Sequence, residues 1–360
     1  MEGTERLPAG GQPPWRPSRR AALVVAAACL CLTLVPAPAL ADGGGDGAWW
    51  TRWSASPLQI APIALGAVLY AMRARRLGRR LPRWRAWCFL GGVAVLLAAV
   101  VSPVDALAEE LFSAHMLQHV LLGDIAALLI VLGVTGPILR PALALRWVQR
   151  ARALTHPAVA LPLWAANLVI WHLPALYQAA LANQAVHALE HVCFFTFGCL
   201  MWAPLVEALP APAWFGTGIK LAYVGAVRVV DVILGNILWF SGQAFYSDYA
   251  ATAARHGETP LQDQINAGTV MMTETGTVTL ILFVVLFFRM AREGELRQRL
   301  IESGLDEESV RRAVRYGRGD VLAARAGVAP DGTQGQSPAG PYPAAGSGSA
   351  RARNSTTQAP

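Results

Sequence analysis

The chain has 360 residues, 54% hydrophobic against 15% charged, with twelve Trp and positive mean hydropathy. Such a composition excludes an ordinary soluble enzyme and indicates an all-α, polytopic membrane protein. The formal charge of +7 comes from 29 Arg and one Lys (Lys220), which fall in clumps between apolar runs rather than on one face, and this excludes a nucleic-acid partner.

Residues 1–41 read as a signal peptide. Arg16, Arg19 and Arg20 precede the apolar run AALVVAAACLCLTLV, and Ala39 and Ala41 stand at the small positions of a cleavage site; an uncleaved signal anchor is the alternative. An extracytoplasmic Gly/Trp-rich linker (42–55) leads to a transmembrane domain at 56–290. Its seven apolar segments are placed at Ser56–Met72, Ala86–Val101, Leu107–Val134, Pro157–His172, Gln184–Val206, Ile219–Phe240 and Ala267–Phe288, each near the roughly 20 residues that cross a bilayer. A basic, amphipathic cytosolic segment (291–325) and a Gly/Pro/Ser/Ala-rich disordered tail (326–360) complete the expected layout.

Short cytoplasmic loops collect Arg, and this orients the bundle. Seven Arg between Arg73 and Arg85, then Arg140, Arg146, Arg150 and Arg152, then Arg289, Arg292, Arg297 and Arg299, mark the inside; Asp105, Glu109 and Glu110 mark the outside. The mature N-terminus is therefore expected outside and the C-terminus in the cytosol.

Five of the seven histidines lie in three of these segments: His115 and His119, four apart, His172, and then His187 and His191, again four apart. Residues i and i+4 share a helix face, and the orientation puts all five at one level, in the extracytoplasmic third of the membrane. Single histidines at such positions satisfy packing needs; two pairs and a fifth at equal depth point to a shared metal site. Imidazole suits copper, zinc or haem iron, and the thioethers of Met271 and Met272 nearby lean the choice toward copper. On residue type alone, zinc and haem stay open. Met116 points about 100° from His115 on an ideal helix, which argues against a ligand role. Gln118 and Glu190 are expected to orient the rings, and Asp263 stands just before the last helix. HALEH also matches the H-x-x-E-H metalloprotease pattern, a short and weakly specific one. Arg228 and Asp231, three apart at mid-membrane, are expected to neutralise each other, and Asp124, about 160° from the histidine face, to look elsewhere. Cys88, Cys193 and Cys199 are expected to be packing residues.

The ordered motifs SPVDALAEELFSAHMLQH, GVTGPILR, WHLPALYQAAL, HALEH, MWAPL and DQINAG closely resemble the multi-span CtaG family of cytochrome c oxidase assembly factors, over about Ser56 to Arg292. The resemblance implies a non-enzymatic, multi-pass bacterial plasma-membrane protein. It would bind copper through His115, His119, His172, His187 and His191, with Asp263 and Gln264 as the family's Asp-Gln pair. Its partners would be the catalytic subunit of a haem-copper oxidase and a periplasmic copper donor. A membrane haem protein in electron transfer and a copper permease are the alternatives. The sequence departs from the family pattern at Gly123 and Asp124, where a proline is expected to bend the third helix, and at Met272, where Trp is expected.

Overall fold

A computed structural model describes residues 49–328 apart from positions 55, 135, 210 and 316; the expected leader and the tail beyond 328 lie outside the described residues. The described residues are helical, with no strand among them. The chain divides into two compact units at Phe287/Phe288.

In the first unit, α1 (Pro57–Leu77) and α2 (Arg83–Val101) form an antiparallel pair, locked by Tyr70 stacked on Phe89 at 3.6 Å between ring centroids. A short helix α3 (Pro103–Ala108), capped by Ser102, leads to α4 (Phe112–Val120). The span then continues through a π-helical segment, Leu121–Ala126, into α5 (Ala127–Gly133). Next come α6 (Gly136–Leu143), α7 (Arg146–Ala151), α8 (Pro157–Trp171), α9 (Pro174–Ala182), α10 (Gln184–Val206), α11 (Thr217–Phe240), α12 (Ala250–Arg255) and α13 (Pro260–Glu302).

Among the described residues, six helical stretches are long and apolar enough to cross a membrane. The fourth expected span, α8, has 15 residues, about 22 Å of helix. It qualifies only together with the preceding stretch Val148–Thr155, from which it is bent by 81°. The break falls at His156, whose extended backbone is what a residue before proline prefers. The chain is thus a multi-pass membrane helix bundle, with six or seven candidate spans among the described residues. The third span begins at Phe112 rather than at Leu107, because the segment before it folds as the separate helix α3.

Where the family pattern leads one to expect a proline bend, the third span has the π segment, with Gly123 inside it. Gly198 of α10 lies so close that a Cβ there would collide with the Gly123 carbonyl, while a Cβ on Gly123 would meet the Phe194 carbonyl at 3.4 Å. Close approach through small residues is how helices pack in lipid. It seats α10 directly against the histidine-bearing span. The last span is longer than expected, with α13 continuing to Glu302; Arg289 and Glu293, four apart, pair at 2.8 Å on its polar extension.

The second unit has its own small core of Leu300, Val310, Val314 and Ala323, with α14 (Glu307–Arg315) and α15 (Gly319–Ala326). The Asp306 carboxylate caps α14 by accepting from Ser309 N at 2.9 Å, and these amide bonds hold its carboxyl below the usual range.

Candidate metal centre

The third span is anchored at its histidine end from the far side of the sequence. Asp263, on the first turn of α13, accepts from the backbone amides of Phe112 (2.7 Å) and Ser113 (3.0 Å), so its buried carboxylate caps α4. One turn on from that cap come His115 and His119. On α10 the side chain of Asn183 caps the helix through Ala185 N (2.9 Å) and Val186 N (3.3 Å), and His187 and His191 follow in the first two turns.

The five expected histidines lie in one chain of neighbouring rings, with His172 at its end next to His119. Ring centroids are separated by 4.2 Å for His187 and His191, 4.4 Å for His115 and His119, 5.2 Å for His115 and His187, 5.9 Å for His119 and His191, and 6.5 Å for His119 and His172. Between the α4 pair stands Glu190, with no exposed surface. Its two carboxylate oxygens lie 3.6 Å from His115 Nε2 and 3.6 Å from His119 Nε2. One ligand atom from each of His115, His119 and Glu190 falls within 4.8 Å of the others.

Those separations are too long for hydrogen bonds. Both Glu190 oxygens, both nitrogens of His119 and of His191, and Nε2 of His115 and His187 are buried without a hydrogen-bond partner. A buried carboxylate without a hydrogen-bond partner is costly, and a cation held between it and the neighbouring imidazoles removes the cost. Metal bonds to nitrogen and oxygen of about 2.0–2.2 Å span such gaps. The donor set of imidazoles and one carboxylate therefore fits a transition-metal ion. Glu190 is a member of the converging set and not only an orienting group.

Three tyrosines that the sequence reading missed hold this arrangement. Tyr249 Oη lies 3.3 Å from His115 Nδ1, 2.8 Å from Tyr177 Oη and 3.2 Å from the Ala108 carbonyl. If Tyr177 and His115 Nδ1–H donate to Tyr249 and Tyr249 donates to Ala108, all three groups around the Tyr249 hydroxyl are satisfied and the His115 Nε2 lone pair is left on the Glu190 side. Tyr246 donates to the His172 carbonyl at 2.7 Å, and Phe194 stacks on His119 at 4.0 Å. Tyr246 and Tyr249 sit in a loop whose composition carries no metal signal; Tyr177, inside the motif WHLPALYQAAL, carried the only available hint.

A family model described as cytochrome c oxidase caa3 assembly factor (Caa3_CtaG) matches residues 68–293, more than half of the sequence. The chain belongs to the Caa3_CtaG family. Uncharacterized proteins of Mycobacterium bovis and Mycobacterium tuberculosis are each 25% identical to this CtaG protein over 256 residues, a match covering 64% of this chain. The chain spans only 38% of the length of those relatives. No solved structure matches.

Several expectations for the CtaG site need correction. Gln118 turns from the rings: its Nε2 donates to the Ala99 carbonyl (2.8 Å) and to Asp105 Oδ1 (2.6 Å), tying the third span to α2 and α3. Gln264 is likewise structural, accepting from Phe245 N (2.7 Å) and donating to Leu238 O (3.0 Å). Met272 packs its thioether against Gly235 of α11, while Met271 joins Met116, His119 and His172 around a small cavity. Met116 is 3.2 Å from His172 Nε2, so the 100° offset from His115 aims it at the fifth histidine instead of away from the cluster. Arg228 donates to the Met272 carbonyl at 2.8 Å and makes no close ion pair with Asp231 among the described residues. Asp124 lines the same cavity as His119, because the i→i+5 turn of the π segment brings residues five apart toward one face.

At the edge of the cluster, Glu110 pairs with Arg52 and, at 2.6 Å, with His256 Nε2. Burial pushes the Glu110 carboxyl up, but hydrogen bonds from His256 and Arg52 outweigh it and hold the group below the ordinary range.

Proposed function

We propose that this assembly factor takes up a copper ion as cargo at His115, His119 and Glu190, with His187 and His191 beside them on the extracytoplasmic side of the plasma membrane. It passes the ion to the catalytic subunit of a haem-copper oxidase during assembly, after receiving it from a periplasmic donor. The observation that carries this reading is a fully buried carboxylate without a hydrogen-bond partner set between the imidazoles of His115 and His119, with the rings of His187 and His191 packed against those two. Family membership supplies the oxidase as recipient, and a nitrogen-rich donor set suits copper. Imidazole ligands release copper more readily than paired thiolates do, which fits an ion held in transit.

Haem, the alternative cargo, gains no support. The rings pack within 4.2–6.5 Å of one another, and the adjoining cavity of about 20 Å³ takes an ion or a water, not a macrocycle. A hydrolase on the H-x-x-E-H pattern would need Glu190 open to water, and it is wholly buried.

The test is elemental analysis of the full-length protein purified in detergent, beside Glu190→Gln and His119→Ala/His191→Ala. Wild type retains copper, and both variants lose most of it at normal membrane abundance, with oxidase maturation falling in parallel. Copper content unchanged in both variants overturns the reading, and a haem absorbance band in the wild type replaces it. Uptake into vesicles separates delivery from permeation: accumulation abolished by Asp124→Asn or Asp231→Asn indicates a permease.

A further inference from the structure

The five histidines do not form one set. His172 stands apart from the His115, His119 and Glu190 group and shares its surroundings with sulfur. Its Nδ1 is 2.7 Å from the Leu168 carbonyl, which can only accept, so Nδ1 carries the proton and Nε2 of the neutral ring presents a lone pair. That lone pair faces Met116 Sδ at 3.2 Å, which offers only lone pairs of its own. Two donor atoms aimed into one place with no hydrogen between them is the arrangement a cation completes.

The place itself is the cavity of about 20 Å³, room for one ion. Met116, Met271, His172 and His119 line it, and its other wall carries Asp124 and Asp231. Met116 is 1% exposed, Met271 4%, His172 7% and Asp231 3%, and Asp231 Oδ2 has no hydrogen-bond partner. The two carboxyl groups add oxygen donors to the lining, and a guest that all of these nitrogen, sulfur and oxygen atoms can hold is a cation. Thioethers select soft ions of the Cu(I) class, whereas the His115, His119 and Glu190 group contains no sulfur and suits a divalent ion.

We propose that this cavity is a second, softer cation site, with Met116, Met271 and His172 as donors for a monovalent copper-class ion. His119 belongs to both places and is the bridge between them. The proposal rests on the copper-handling reading for the identity of the cargo, but its donor set is independent of Glu190. No electron transfer is invoked: each site holds an ion in the oxidation state in which it arrives.

Silver(I), monovalent and soft, is the probe. Full-length protein in detergent, with cysteines alkylated beforehand, is loaded with Ag⁺ and desalted; bound equivalents are counted and the neighbouring atoms read by X-ray absorption. Leu conserves the volume of Met, so Met116→Leu/Met271→Leu and the single Met271→Leu keep the packing, checked by size-exclusion elution. The expected result is a silver–sulfur contact in the wild type. The double variant loses it together with one equivalent, and the single variant retains that equivalent at least tenfold more weakly. Cu²⁺ retention stays at the wild-type level in both, and Glu190→Gln shows the converse. A silver–sulfur signal and silver count that persist in the double variant, or a wild type without sulfur contacts, overturn the proposal. Unchanged Cu²⁺ retention in Glu190→Gln strikes only the function proposed above and leaves the soft site standing.

Discussion

The same five-residue pattern, two histidines four apart, occurs on α4 and on α10, yet the two pairs are built differently. The α4 pair is set in place by distant parts of the chain: the Asp263 cap, the Tyr249 contact on His115 and the Phe194 ring on His119. The α10 pair is held locally by the Asn183 cap, and its rings touch other histidine rings among the described residues. His115, His119 and His191 are buried, and His187 alone of the four is only partly so. One pair is braced by side chains from distant segments; the other rests on a local cap and on the first pair's rings. Identical spacing therefore encodes unequal roles, assigned by what packs behind each helix.

The largest test of this contrast removes what the pairs share. Glu190→Gln is expected to weaken Cu²⁺ binding on the order of 100-fold or more, against about tenfold for His187→Ala, in titration calorimetry. Equal losses would mean the two pairs contribute alike. Next, Asp263→Ala removes a buried charged cap and is expected to cost about 1.5–3 kcal/mol in detergent unfolding, while Asn183→Ala removes a local one and costs about 1 kcal/mol. Tyr249→Phe is expected to cost about 1–3 kcal/mol, because the buried Tyr177 hydroxyl and Ala108 carbonyl lose a partner, and to weaken the metal about tenfold, because His115 loses its orienting partner.

The smallest effect lies at the rim. Because Glu110 is held below its ordinary range, its contacts with Arg52 and His256 add stability at pH values above the unfolded carboxylate range near 4, and the contribution disappears as pH falls through the depressed value. The thermal midpoint of wild type should drop more between about pH 5 and pH 3 than that of Glu110→Gln; parallel curves would show that the rim contributes nothing.

The membrane spans were legible because about 20 apolar residues leave little choice in lipid. The fifth stretch was placed at Gln184–Val206, and α10 occupies those residues. The meeting of the five histidines was also legible, since depth follows from position in a span. Azimuth was not. The uniform 100° rule turned Asp124 away, and a local change of helical pitch, with no proline to announce it, turned it back. Partners across the bundle were equally hidden: nothing near Gln118 in sequence says that it bonds to Ala99, and nothing near Arg228 says that a carbonyl outcompetes Asp231.

The cap that Asp263 places on α4 joins two events that would otherwise be separate. Were the start of α13 to shift outward by a few ångströms, the amides of Phe112 and Ser113 would lose their acceptor, the first turn would fray, and the ring of His115 would go with it. The position of the His115 ring and the seating of the last span are thus one equilibrium. Under the function proposed above, a recipient that docks by prying that span loose would need no further trigger to unload the ion.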